Sequence, residues 1–232
     1  MRITQKKENL ESVIFESFMK PKKIKGILFD FDGVLAKTME DNFNAWKLAM
    51  QDYEVKLRRE DYYPLEGMPM KEIAGKYCKE FNIDESLAEE IVRKKENYYL
   101  ENHHLEFYPG VEEFIDLLKS KKILIGLVSA ASNERLRNTV PKNFLKKFDT
   151  VVSGDRTLRG KPFPDPYLKG LSDLNLKREE CIAVENAPVG IKSAKNANLY
   201  CIAVCSTLDK SYLKEADEIV EEFKDLNKVV FG

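Results

Sequence analysis

Short apolar runs rich in isoleucine, valine and leucine recur along this chain and alternate with longer segments of helical spacing. That alternation limits the fold more than any other feature. "KGILFD" (25–30), "ILIGLVS" (123–129), "TVVSG" (150–154), "CIAVEN" (181–186) and "YCIAVC" (200–205) are short and almost uniformly apolar, and "DEIVE" (217–221) is a sixth candidate. Strands apolar on both faces belong inside a parallel sheet that helices cover on each side. "GVEEFIDLLKSKK", "NERLRNTVPKNFLKKF", "DPYLKGLSDLNL" and "APVGIKSAKNAN" have the spacing of such helices, with asparagine or glycine near their ends. The order predicts an α/β fold class, a Rossmann-like parallel sheet.

From about Thr38 to about Phe107 the alternation stops. "EDNFNAWKLAMQDY", "PMKEIAGKYCKEF" and "ESLAEEIVRKKENYYLENH" are helical in pattern, and no buried strand separates them. The core resumes at "YPG", Tyr108 to Gly110, where proline and glycine punctuate the chain. An all-helical cap domain inserted after the first strand sits over the sheet edge where open α/β folds bind ligands, as a lid would. The expected division is a leader at 1–22, a core at 23–37 and 108–232, and a cap at 38–107. In the leader, "ENLESVIFESFMK" admits a helix packed on the core, and "KPKKIK" reads as a solvated basic approach to the first strand.

With 232 residues, 43% of them hydrophobic, the chain can bury one large core or a core with a smaller companion. Lys and Arg number 38 against 39 Asp and Glu, so no global field favours nucleic acid or an anionic membrane, and a small-molecule or protein partner is expected. The run "ILIGLVSAA" is far short of the roughly 20 residues that span a bilayer, and "MRITQKKENLESV" is charged rather than signal-like. Cys78, Cys181, Cys201 and Cys205 form no CxxC pair; buried free thiols in a reducing, cytoplasmic setting are expected. His103 and His104 are expected to be solvated, and oligomeric state is left open.

Asp30 and Asp32 stand one residue apart where the first apolar run ends, and Gly33 permits a tight turn after them. Two carboxylates so close repel unless a cation or a shared proton intervenes. Oxygen donors at a sheet edge suit Mg²⁺, which takes one or two carboxylates and keeps room for phosphate and water. Taken alone, DxD reads equally well as a pair of turn aspartates. Three further sites fall at the same edge. Ser129 ends the second run, and its hydroxyl with the backbone N–H groups that follow, from Ala130 on, can hold a phosphate oxygen. Lys161 stands between Gly160 and Pro162 and can lend a point charge to a phosphoryl group. Glu185 and Asn186 end the "CIAVEN" run as oxygen donors.

That ordered set resembles the haloacid dehalogenase superfamily, in particular its phosphatase and β-phosphoglucomutase-like branch with a helical cap. "DFDGVLAKT", "LIGLVSAAS", "GKPFPDPYLKGL" and "IAVENAPVGIKSAKNA" resemble its four motifs, and "NFNAWK", "LEGM" and "YPGVEEFIDLLKSKKI" resemble this branch; about residues 24 to 225 are covered. The resemblance implies that Asp30 is a nucleophile forming an aspartyl-phosphate and that Asp32 is general acid, then general base. It implies that Asp30, Asp32 through its carbonyl, Glu185 and Asn186 hold Mg²⁺, while Gly33, Ser129, Ala130 and Lys161 bind the phosphate. Glu66, in the cap, would face the leaving group.

Four positions depart from the pattern. Asn186 stands where the family usually has an acid, so the metal site loses a formal charge. Lys37 replaces a common aspartate. Asn42 and Glu66 stand where β-phosphoglucomutases carry His and Lys, which weakens a mutase assignment. The expected function is Mg²⁺-dependent hydrolysis of a small phosphorylated metabolite, sugar phosphates included. The alternatives are a phosphosugar mutase and a binding protein with a weakened metal site.

Overall fold

The computed structural model describes residues 19–232. The helix expected within "ENLESVIFESFMK" lies outside the described residues, apart from Met19 and Lys20. All six expected strands form: β1 (Gly26–Phe29), β2 (Leu124–Val128), β3 (Thr150–Val152), β4 (Cys181–Glu185), β5 (Tyr200–Val204) and β6 (Glu218–Val220). They make one parallel sheet in the order β3-β2-β1-β4-β5-β6. The chain builds outward from β1 to β2 and β3 on one side, then returns to place β4, β5 and β6 on the other. Connections after β1 and β4 therefore diverge, and a crevice opens at their carboxyl ends.

Both sheet faces are covered, as the apolar runs require. On one face Ile27, Phe29, Ile125 and Leu127 pack with Phe114 and Ile115 of α5 (Val111–Ser120) and with Phe223. Opposite, Leu28, Val128 and Ala183 meet Tyr167 and Leu171 of α8 (Asp165–Leu174) and Ile191 of α9 (Pro188–Asn196). A final helix, α10 (Leu226–Phe231), ends the chain. The single helix expected over 133–148 is instead two, α6 (Asn133–Thr139) and α7 (Lys142–Leu145). Pro141 breaks it: proline has no N–H to donate and forces the preceding residue out of the helical region, and Val140 is extended at φ −109° and ψ 133°.

The insertion contains α1 (Met39–Gln51), α2 (Arg59–Tyr62), α3 (Met70–Glu80) and α4 (Ala88–Asn102). Of these, α2 was not foreseen, because four residues are too few to show a period. Phe43, Trp46 and Ala49 of α1, Ile73 and Tyr77 of α3 and Ile91 of α4 form an apolar cluster of their own. The two segments that join the insertion to the sheet run side by side. Tyr108 N–H donates to Leu35 O at 3.0 Å and Lys37 N–H to Glu106 O at 2.8 Å, around an antiparallel bridge between Ala36 and Phe107. Lys37, the unusual residue of the first motif, forms an ion pair with Glu106 across this ribbon. Cys78, Cys181 and Cys201 are buried free thiols and Cys205 is half-buried. Among the described residues no helix is long and apolar enough to cross a membrane.

Candidate active site

The hydrogen bonding of β1 to β4 runs one residue past the strand, with Asp30 N–H donating to Val184 O at 3.0 Å. That bond fixes the Asp30 backbone at the crevice. Two residues on, Gly33 turns the chain at φ +81°, and a Cβ there would lie 2.1 Å from Asn186 Nδ2, so glycine is required both by conformation and by space. Ser129 is held to the neighbouring strand end, its N–H donating to Val152 O at 2.9 Å, and its Oγ accepts from Ala131 N–H at 3.1 Å. The hydroxyl thereby shapes the turn through Ala130 into α6.

Lys161 reaches this edge from its loop and is buried there. Its Nζ donates to Asp30 Oδ1 at 2.6 Å and to Glu185 Oε1 at 2.7 Å, and the Tyr167 hydroxyl also donates to Glu185 Oε1. Gly190 of α9 makes room for this carboxylate, since a Cβ at Gly190 would lie 2.2 Å from it. Burial pushes the Asp30 carboxyl well above the usual carboxylate range, against the pull of Lys161 and with the repulsion of Glu185 and Asp32. For Lys161 burial acts downward, but Asp30 and Glu185 outweigh it and hold the ammonium above its ordinary pKa.

Glu185, expected as a metal ligand, has Lys161 and Tyr167 donating to one of its oxygens, and the other accepts from Asn186 N–H at 3.3 Å. Lys161 thus lies between the Asp30 and Glu185 carboxylates. Asn186 is different. Its Nδ2 donates to Thr207 Oγ1 at 3.1 Å, while its buried Oδ1 has no hydrogen-bond partner. An orphaned amide oxygen on a side chain that packs against Gly33 fits a hard cation such as Mg²⁺, which accepts neutral oxygen donors beside a carboxylate. Among the described residues no group of three or more His, Cys, Asp or Glu side chains is arranged to hold a metal, so such an ion would rest on Asp30, backbone carbonyl and Asn186.

Asp32 faces the insertion. Its Oδ1 accepts from Thr38 Oγ1 at 2.5 Å, from Asn42 Nδ2 at 3.1 Å and from Arg135 Nη2 at 3.4 Å. A pocket beside it is lined from the core by Asp32 and Arg135 and from the insertion by Asn42, Trp46, Glu66 and Lys95. The Tyr62 hydroxyl donates to Glu66. Burial and the nearby Asp32 push the Glu66 carboxyl up, opposed by that hydrogen bond and by Lys95 and Arg135. Lys95 donates to Asn42 Oδ1 and to Glu96 Oε1, both at 2.9 Å, and burial with Arg135 nearby lowers its pKa to about 8.

Sequence reasoning brought Asp30, Asp32, Gly33, Ser129, Ala130, Lys161, Glu185 and Asn186 to one edge, and placed Glu66 above them. It missed Lys95, Arg135 and Trp46. Lys95 was hidden in the charge run "RKKEN", although it lies four residues from Ile91 and four from Tyr99 on the buried face of α4. His103, expected to be solvated, is half-buried and stacks on Tyr99 at 5.5 Å; His104 is exposed.

The family model described as haloacid dehalogenase-like hydrolase matches residues 27–204. A phosphorylated carbohydrates phosphatase of Thermotoga maritima is 29% identical over 202 residues, spanning 84% of this chain and 93% of its own length. The β-phosphoglucomutase of Bacillus subtilis is 28% identical over 193 residues, 78% of this chain and 83% of its own. Among solved structures, the β-phosphoglucomutase of Clostridium difficile superimposes with a TM-score of 0.76 at 25% identity, covering 88% of this chain and 93% of that one.

Proposed function

The chain belongs to the haloacid dehalogenase-like hydrolases, and from that premise we propose that it is a Mg²⁺-dependent phosphatase of small phosphorylated metabolites, sugar phosphates among them. The observation that carries this reading is the division of labour between two aspartates at one strand end. Asp30 is locked to Lys161 at the floor of the crevice, and Asp32 turns toward the pocket that the insertion closes.

In the proposed reaction Asp30 attacks phosphorus, the bond from phosphorus to the leaving oxygen breaks, and Asp32 gives its proton to that oxygen. Water then attacks the aspartyl-phosphate and yields a proton to Asp32. The bond between phosphorus and Asp30 breaks, and inorganic phosphate leaves. Lys161 fixes the Asp30 carboxylate at 2.6 Å and keeps a third N–H direction for a phosphoryl oxygen. Backbone N–H groups around Ala130 and in the turn that Gly33 permits, with the Ser129 hydroxyl, are the remaining phosphate contacts in this reading; the Gly33 N–H itself donates to Ala36 O at 2.8 Å. Asp30, the Asp32 carbonyl and Asn186 Oδ1 would hold Mg²⁺, which when bound neutralises charge on the transferring phosphoryl group. The relatives named for phosphorylated carbohydrates and for β-phosphoglucomutase support phosphate esters as the substrate class.

The test is a panel of phosphate esters with Mg²⁺, scored for inorganic phosphate and for isomerised product. Hydrolysis that disappears in a folded Asp30→Asn variant supports the reading. Undiminished phosphate release by that variant removes the aspartyl-phosphate, and isomerisation with little free phosphate indicates a mutase.

A further inference from the structure

An asparagine at position 186 raises a question that an acid there would not. The two oxygens of a carboxylate are alike, so either can face a cation. A carboxamide carries an oxygen at one end and an NH₂ at the other, and only the oxygen can be a ligand. Turned the wrong way, Asn186 would point two N–H donors at the position proposed for Mg²⁺. The side chain is fully buried, so bulk water cannot satisfy whichever end is left over. A protein group has to hold the NH₂ end.

That end is held twice. Asn186 Nδ2 donates to Thr207 Oγ1 at 3.1 Å, and it fills the space that Gly33 leaves, where a Cβ would lie 2.1 Å from Nδ2 and 3.0 Å from Cγ. Oδ1, at the opposite end, has no hydrogen-bond partner among the described residues. Thr207 is half-buried, and the segment that carries it is fixed at the same edge. β5 ends at Val204, Cys205 N–H still donates to Val220 O at 2.9 Å, and the Ser206 hydroxyl donates to Gly33 O. The residues after β5 are thereby tied to the very turn against which Asn186 packs.

We infer that Thr207 is a positioning residue for the metal site: its hydroxyl takes the NH₂ of Asn186 and so presents Oδ1 to the cation, which lets a neutral amide serve as a ligand. The inference rests on the Mg²⁺ site of the proposed function. Without the hydroxyl, a buried N–H donor loses its acceptor, and the amide gains by turning its NH₂ toward another oxygen. Metal binding must then reverse that turn. A carboxylate at 186 gains nothing by turning, because both of its ends are oxygen. The contribution of Thr207 to metal affinity is therefore tied to the amide.

Binding of Mn²⁺, which takes the same oxygen donors as Mg²⁺, tests this without turnover, with free Mn²⁺ read by electron paramagnetic resonance. Groups that orient a metal ligand are commonly worth 10 to 100-fold in affinity, so Thr207→Val should weaken Mn²⁺ binding about tenfold. Thr207→Ser, which keeps the hydroxyl, should bind as the wild type does. Introduced into Asn186→Asp, the same Thr207→Val change should weaken binding by about threefold at most, since the two substitutions act on one contact. Unchanged Mn²⁺ affinity in Thr207→Val overturns the inference. So does an equal loss in both backgrounds, which is what a merely structural role would give. Thr207→Ala removes the same hydroxyl and replaces the valine variant in this comparison if that variant does not fold. A wild-type protein that binds no Mn²⁺ removes the metal from the proposed function and this inference with it, a failure distinct from binding that is indifferent to Thr207.

Discussion

Replacing Lys95 with methionine should make the protein more stable at neutral pH. Lys95 is fully buried with its pKa lowered from 10.5 to about 8, chiefly by burial and then by Arg135. Below pH 8 the lysine is charged in both folded and unfolded chains, and folding bears the whole cost of burying that charge. Between pH 8 and 10.5 the unfolded chain holds the proton more tightly, so wild-type stability rises with pH across this window. A fall from 10.5 to about 8 corresponds to about 3 kcal/mol. Against this, Lys95 donates to Asn42 and Glu96, and losing those bonds costs about 1 kcal/mol because Arg135 still serves both acceptors. A methionine side chain follows much the same path, beside the Met70 sulfur already 3.8 Å from Nζ. The variant should gain about 2 kcal/mol at pH 7, and that advantage should shrink to about zero near pH 10 as the wild-type lysine sheds the cost of its buried charge. Urea unfolding followed through Trp46, the one tryptophan of the chain and a buried one, measures both proteins from pH 6.5 to 10. Parallel stability curves over that range would refute the reasoning, since they require a lysine whose pKa is not depressed.

Three other outcomes are expected. Asp32→Asn should lose about 10² to 10⁴-fold in turnover of alkyl phosphates and much less with p-nitrophenyl phosphate, whose leaving group needs little protonation; equal losses would remove the acid role. Asn186→Asp should lower the Mg²⁺ concentration for half-maximal activity without changing substrate preference, and superimposable Mg²⁺ titrations would show that Asn186 does not limit the metal site. Gly190→Ala should cost about 1 to 3 kcal/mol of stability and reduce kcat more than tenfold, because its Cβ would displace the Glu185 carboxylate to which Lys161 donates; a variant with normal kcat would show that Glu185 is dispensable.

The residues that sequence reasoning placed well share one property: each ends a strand of a parallel sheet, or follows directly on it. Asp30, Ser129 and Glu185 reach the same edge whatever the loops do, because register fixes strand ends. What each side chain does there was less legible. Glu185 was expected on metal; its contact with Lys161, which arrives from a loop 24 residues away in sequence, is recorded by no local pattern. The pocket wall was less legible still, because Arg135 and Lys95 share acceptors only after the insertion docks on the core. Lys95 was nonetheless visible in principle as a lysine in phase with Ile91 and Tyr99. The break at Pro141 was legible from proline chemistry, and the apolar spacing on either side masked it.

The paired crossings at Leu35 to Lys37 and Glu106 to Tyr108 also bear on how the chain folds. β1 must find β2 across the whole insertion, and closing a flexible loop of about seventy residues costs about 3 kcal/mol more than closing one of two residues. The insertion has its own apolar cluster around Trp46 and Tyr77, formed between helices close in sequence. An insertion that collapses first brings Leu35 beside Tyr108 and delivers β1 to β2 as though a short turn joined them. The sheet then assembles with a much smaller effective contact order than its sequence separations suggest. The helical insertion would thus also act, during folding, as the clasp that closes the longest loop between neighbouring strands on that side of the sheet.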